Sequence, residues 1–306
     1  MTAISRRRAL TILAAATALP TSALATPDVP LHTWRGRALG AQATLRLAHP
    51  DAAAISERVA AEIDRLEDVF SLFRPQSALS RLNQQGVLPA PPFELLQCLS
   101  LAARVHNATE GRFDPTVQPL WRVYAEASVA GRAAGADDLN RARAAIGWDR
   151  VRFSTDAITL EPGMALTLNG IAQGFIADRV ADLLIGEGLD NILIDTGEFR
   201  ALGGDPQGTA WPVNLAAGGQ VALKARALAT SAPLGTTFGA GATGDSHILD
   251  PRRGAPVPAV WHEVSVSADQ AALADALSTA ACLYSTKSEI VTCVQAFKNS
   301  RLEQIS

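Results

Sequence analysis

The chain has 306 residues, 48% of them hydrophobic and 19% charged, with a formal net charge of -3. That composition can bury a sizeable core and excludes an intrinsically disordered chain. With a pI near 6.0 and no run of clustered Lys and Arg beyond the first ten residues, it lacks the basic field that holds a phosphate backbone, so no nucleic-acid partner is expected.

Ser5-Arg6-Arg7-Arg8 leads into an apolar stretch from Ala9 to Leu19, followed by Pro20 and the small residues Ala23-Leu24-Ala25. This is the pattern of a cleavable export signal, and its apolar run is shorter than the roughly 20 residues a membrane span needs. The arginines after a serine point to the twin-arginine route. Residues 1–25 are therefore expected to be a signal peptide, residues 26–306 a single mature domain, and the destination the periplasm.

Thr44-Leu45-Arg46-Leu47 alternates as a strand does, and Ile55, Val59, Ile63, Leu66, Val69 and Phe70 then recur at helical spacing, predicting a helix over 52–72. Further helices are expected over 92–109 and 137–146, with an alanine-rich loop between them. From Val151 the texture changes to short strands at 151–153, 157–160 and 165–168. A helix over 176–186, a buried strand over 191–195, a hairpin from 211–215 and 221–223, and a late helix over 273–283 complete the pattern. Helices gather toward the first half and strands toward the middle. The expected class is α+β, with mixed or antiparallel sheets and packed helices. A doubly wound parallel sheet is therefore disfavoured, and no GxxxxGK[ST] loop supports a P-loop site.

Cys98, Cys282 and Cys293 have no CxxC spacing and read as core thiols; a Cys282–Cys293 bridge is compatible with an oxidising compartment. Asp275 and Thr279 stand four apart, on one face of the late helix, and serve either as caps or as two hard oxygen ligands for magnesium. His247, between Ser246 and Ile248, is either a hydrogen-bonding turn residue or a general base. A serine hydrolase built on Ser246 or Ser231 would lack the GxSxG elbow. Gly111-Arg112-Phe113-Asp114 forms a turn with an aromatic face and an anionic acceptor, suited to a flat ring or simply capped by Asp114. Asn169-Gly170-Ile171-Ala172-Gln173-Gly174 offers close backbone at a strand-to-helix junction, where phosphate is favoured. Gly241-Ala242-Thr243-Gly244 reads as a glycine-rich loop rather than as an acceptor sequence.

In order, these segments resemble the ApbE family, the FAD:protein FMN transferases, over roughly residues 34 to 283. The likeness rests on Leu39-Gly40-Ala41-Gln42, the run Ser77-Ala78-Leu79-Ser80-Arg81-Leu82-Asn83, Phe113-Asp114-Pro115-Thr116 before Pro119-Leu120-Trp121, and the Gly170 corner. It continues through Gly197-Glu198, Ala229-Thr230-Ser231, the Ser246-His247-Ile248-Leu249-Asp250-Pro251 stretch and the Asp275-Ala276-Leu277-Ser278-Thr279-Ala280 run of the late helix. The resemblance implies a T-fold-like flavin transferase architecture and a magnesium ion held by Asp275 and Thr279, with backbone oxygens near Gly170 and Ser278. It implies FAD as substrate, lined by Leu39, Phe73, Arg112, Phe113, Asp114, Thr167, Gln173 and Leu249, and an acceptor flavoprotein as partner. His247 would be the catalytic base. Thr167 stands where most members carry an acid, and Gln173 where many carry lysine. The Gly170 corner is similar to that of the NosX-like branch, whose expected acceptor is a membrane flavoprotein. After Leu283 the likeness is expected to fade into a short polar terminus. The competing readings are a same-fold protein that binds or hydrolyses FAD without transfer, and a non-catalytic exported scaffold.

Overall fold

The computed structural model describes residues 29–239 and 244–306. The expected signal peptide and the Gly241-Ala242-Thr243 stretch lie outside the described residues.

A hairpin opens the fold: β1 (His32–Ala38) and β2 (Ala41–Leu47) pair antiparallel. Leu39 and Gly40 form their turn, with φ of 47° and 87°, the two positive values that a twist-matched hairpin turn requires. α1 (Ala52–Phe70) follows and buries Ile55, Val59, Ile63 and Leu66 against the sheet. Each such side chain contributes ~1.5–3 kcal/mol of burial, so this stripe fixes the helix's rotation. α2 (Ala78–Gln85) starts where the Ser77 side chain accepts the Ser80 N–H. Then come β3 (Val87–Pro89) and the 16-residue α3 (Phe93–Ala108).

α4 (Gln118–Val129) occupies part of the segment expected to be loop, and α5 (Ala136–Ala144) is the helix expected over 137–146. Pro119 sits in the first turn of α4, where its missing N–H costs nothing. Only Pro119, Leu120 and Ala127 of α4 are fully buried and Val129 is exposed, so the usual polar and apolar alternation is weak. Two short strands, β4 (Arg152–Phe153) and β5 (Ala157–Thr159), join β3 in a small sheet of order β3-β5-β4. Residues 165–168 form no strand, contrary to expectation. The Asn83 side chain replaces the missing partner: its amide donates to the Leu166 carbonyl at 2.8 Å and its oxygen accepts the Leu166 N–H at 2.7 Å.

α6 (Ala172–Gly186) leads to β6 (Ile192–Asp195) and β7 (Phe199–Leu202), and β8 (Trp211–Asn214) with β9 (Gln220–Leu223) makes the expected hairpin. β10 (Ala227–Ser231) returns to the main sheet. Two small ladders follow, β11 (Thr237–Phe238) with β12 (Asp245–Ser246) and β13 (Leu249–Asp250) with β14 (Ala255–Pro256). β15 (Val264–Ala268), α7 (Ala271–Ala281), α8 (Lys287–Gln295) and β16 (Arg301–Ile305) end the chain.

The principal sheet has seven strands in the order β1-β2-β6-β7-β10-β15-β16, every neighbour antiparallel. It confirms the α+β class. α1, α6 and α7 pack together on the sheet and enclose the largest core cluster. The C-terminal segment is not merely a polar tail. A capping box between Thr286 and Glu289 starts α8, and β16 extends the sheet beside β15. All three cysteines are free and buried, without a Cys282–Cys293 bridge. Burial pushes each thiol up, away from the reactive thiolate.

Candidate functional site

A cavity of about 350 Å³ opens above α7, and its walls come from widely separated parts of the chain. Arg112, Phe113 and Asp114 line one side, Thr167, Gly170 and Gln173 a second, Glu198 and Ser231 a third, and His247, Leu249, Asp275 and Thr279 complete it. Ten of the thirteen residues singled out in the sequence therefore meet around one space. Ser278 lies just behind the wall, while Leu39 and Phe73 stand outside this cavity.

Those two are nonetheless near one another. Glu67 accepts the Leu39 N–H through Oε1 and the Arg74 guanidinium through Oε2, so the hairpin turn and the Phe73 loop share one carboxylate. Arg74 also reaches Asp64 and Asp68, which anchors that loop to α1. Phe73 is 80% exposed, so its ring contributes nothing to the core.

The Phe113 turn is built from its neighbours. His106 Nδ1 lies 3.0 Å from the Phe113 carbonyl, and the Thr109 hydroxyl accepts the Phe113 N–H. Asp114 Oδ1 accepts both the N–H and the hydroxyl of Thr116, so this carboxylate does cap the turn while facing the cavity. The Thr167 N–H donates to the Pro115 carbonyl at 2.8 Å, which ties this turn to the Gly170 corner.

At that corner α6 starts at Ala172, aiming the positive end of a 15-residue helix into the site. Gly170 is required here by contact: a Cβ would stand 2.8 Å from Thr279 Oγ1. Gly174 is required too, because a Cβ would meet the Ala271 carbonyl. α6 and α7 thus touch backbone to backbone. Asp178 of α6 strengthens the junction by accepting the N–H groups of Ala271 and Ala272 at 2.8 and 2.9 Å, an N-cap supplied from another helix.

Asp275 Oδ2 accepts the Gly174 N–H at 3.2 Å. Burial is the largest influence on its carboxyl and pushes it up; the Gly174 bond opposes this and the charge of Asp178 adds to it. Glu198, whose Oε2 accepts the Thr230 N–H, is likewise raised by burial and then by the Asp275 charge. Two desolvated carboxyls on one cavity form a site that a cation would stabilise. Beside them, Ser231 Oγ is 2.8 Å from Ser278 Oγ and 3.2 Å from Thr279 Oγ1. The Cys282 N–H turns to Thr279 O, and the Ser278 carbonyl receives the Cys282 thiol instead. Among the described residues no group of three or more His, Cys, Asp or Glu forms a metal cluster. The donors here are carboxylate, hydroxyl and backbone oxygens, the set that a hard cation prefers and a thiophilic one does not.

His247 Nδ1 lies 2.9 Å from Thr236 O and 3.3 Å from Pro233 O. Carbonyl oxygens only accept, so Nδ1 carries hydrogen and the neutral ring keeps its lone pair on Nε2. Ser246 Oγ is buried and accepts the Ile248 N–H, so it is no nucleophile. The Ser231 hydroxyl faces other hydroxyls rather than an imidazole.

Sequence reasoning gave Glu198, Thr230 and Trp121 no role beyond the family likeness and weighed Ser231 only as a nucleophile, although all four line the cavity. A charged residue directly after the apolar Ile192–Asp195 strand was the available signal for Glu198.

Comparison with known proteins gives a consistent result. The model of the ApbE family matches residues 39–299, so the likeness continues past Leu283 and beyond the end of α8. A curated FAD:protein FMN transferase of Vibrio cholerae is 28% identical over 264 residues, covering 80% of this chain and 78% of that protein. One from Haemophilus influenzae is 28% identical over 251 residues, covering 74% and 72%. In fold, the chain is similar to the Pseudomonas stutzeri flavinyl transferase ApbE, with a TM-score of 0.77 at 24% identity and coverage of 87% and 88%. The apbe protein of Thermotoga maritima gives 0.77 at 24% identity, covering 86% and 90%.

Proposed function

Because the chain belongs to the ApbE family, we propose that it is an FAD:protein FMN transferase acting in the cavity above α7. It cleaves the FAD pyrophosphate in a magnesium-dependent reaction, attaches FMN through a phosphoester to a Thr or Ser of an acceptor flavoprotein, and releases AMP.

The observation that carries this reading is the meeting of His247 with Asp275 and Thr279 in one cavity. His247 Nε2 takes the proton of the acceptor hydroxyl, while the Thr236 carbonyl holds the opposite ring nitrogen and fixes the tautomer. The hydroxyl oxygen forms the new bond to the FMN phosphorus as the pyrophosphate bond to AMP breaks. The N-terminus of α6 and the Arg112 side chain face the phosphate charge. Among the described residues Arg112 Nε is buried without a partner, as a donor reserved for a ligand would be. Phe113 offers an apolar face for the flavin and Asp114 an acceptor for its polar edge.

The residues at the corner fit magnesium: Asp275 and Thr279 side chains with backbone oxygens of Gly170 and Ser278 would hold it, and Gly170 leaves the needed room. When bound, the ion neutralises charge developing on the cleaved pyrophosphate. The signal reading at residues 1–25 supports action in the periplasm after twin-arginine export, on a membrane flavoprotein exposed there. The NosX-like Gly170 corner agrees with that setting.

Mass spectrometry tests this. The mature chain is incubated with FAD, magnesium and a candidate acceptor domain, with His247→Ala and Asp275→Ala as controls. An adduct of FMN less water, absent with both variants, is the expected result. Tight FAD binding with no adduct would move the function to flavin binding alone, and no flavin binding would defeat both.

A further inference from the structure

We propose that the outer face of α4, along Trp121, Ala125 and Val129, is the surface on which the acceptor protein docks the apolar segment next to its modified hydroxyl. The proposal rests on the transferase reading and adds how its protein substrate is recognised.

Trp121, Ala125 and Val129 fall at intervals of four, so they form one stripe along the helix. They line a groove with Gln118, Arg122, Glu126 and Ala130. Val129 is 92% exposed, and an apolar side chain so placed contributes nothing to the core. The stripe is continuous with the reaction site. Trp121 lines both this groove and the cavity that holds His247 and Asp275.

Its indole packs edge-on against Phe238, with ring centroids 5.6 Å apart. Phe238 belongs to the ladder in which Thr237 pairs with Ser246, immediately before His247. A protein segment entering beside His247 therefore passes over Trp121 and continues onto α4. Arg122 and Glu126 form an exposed ion pair at the groove's edge, giving the apolar centre and polar rim of a transient protein interface. From Trp121 to Val129 the helix rises ~12 Å. An extended partner chain covers that in about four residues, so an apolar side chain is expected at least that far from the hydroxyl.

The experiment follows transfer by the whole mature chain to a folded acceptor flavoprotein domain, with FAD and magnesium, for Val129→Asp, Ala125→Glu and Val129→Leu. The charged variants are expected to raise KM for the acceptor domain by ~10-fold or more, with kcat at saturation and FAD affinity unchanged. Val129→Leu keeps the wild-type KM. An unchanged KM in Val129→Asp and Ala125→Glu overturns the proposal, as does a parallel loss of FAD binding, which would make the effect structural. Sedimentation distinguishes a second copy as the occupant: a dimer of the unaltered chain that Val129→Asp dissociates, with KM unmoved, would also overturn it. If the unaltered chain makes no adduct, the transferase reading itself falls.

Discussion

The guanidinium of Arg112 lies over the ring of Tyr284, 4.2 Å from its centroid. Tyr284 follows the last turn of α7 and is buried, its carbonyl accepting the Trp261 indole N–H. The ring thus holds the cavity's arginine from below, through a contact that is worth ~0.5–2 kcal/mol. Tyr284→Leu is expected to weaken FAD binding by about 3- to 30-fold, whereas Tyr284→Phe keeps the aromatic face and the affinity. Fluorescence titration of FAD against the two variants makes the comparison.

Gly170→Ala places a methyl group where Thr279 Oγ1 stands at 2.8 Å. Thr279 must turn away, and the hydroxyl leaves the corner it shares with Asp275. Transfer is expected to fall on the order of 100-fold, the usual consequence of an ångström-scale displacement at a reacting centre. The shift in melting temperature caused by adding magnesium should shrink with it. A variant that retains both the magnesium shift and the transfer rate would show that Thr279 is no ligand.

Asp275→Asn separates stability from function. The wild-type carboxyl is raised by burial, so its contribution to stability is present at low pH and is lost as pH rises through its folded value. Asparagine cannot ionise. Without magnesium, the variant is expected to melt above the wild type at neutral and alkaline pH, by ~2–4 °C for each kcal/mol relieved. With magnesium, the order reverses, because only the wild type gains from the ion. Calorimetry at pH 8 with and without the metal gives both comparisons.

Asp178 supplies a pH test remote from the reacting atoms. Burial raises its carboxyl to about 6, against the bonds from Ala272 and Ala271 and the charge of Arg200. Its folded value exceeds the unfolded one, so the stability it contributes is complete below about pH 4 and lost as pH rises toward about 6, by at most ~3 kcal/mol. Asp178→Asn should remove that slope. It also costs ~1 kcal/mol at every pH, because an amide has one oxygen for the two N–H groups that open α7. Urea melts between pH 4 and 7 would display both effects, and parallel curves for the two proteins would contradict the assignment.

What could be read beforehand was whatever a local pattern records. α1 announced itself because Ile55, Val59, Ile63 and Leu66 repeat at the helical period and all four turn inward. Asp275 and Thr279 were recognisable as one face of a helix for the same reason. α4 was not, since only Pro119, Leu120 and Ala127 of it are fully buried and Val129 is exposed, which leaves no regular apolar stripe. The 165–168 stretch has a strand's composition, but its partner is the Asn83 side chain, more than eighty positions earlier. Nothing local encodes that pairing. Glu198 and Ser231 needed the sheet to bring β7 and β10 beside α7 before their place by the cavity could be known.

Ten of the eleven residues of α7 are buried, and the helix carries the cavity's carboxylate on a segment locked to the core. A substitution there disturbs folding and chemistry together, so natural variation has little freedom to alter either separately. The stripe on α4 is under no such double constraint. An engineer seeking new clients would therefore vary α4 and leave α7 as inherited.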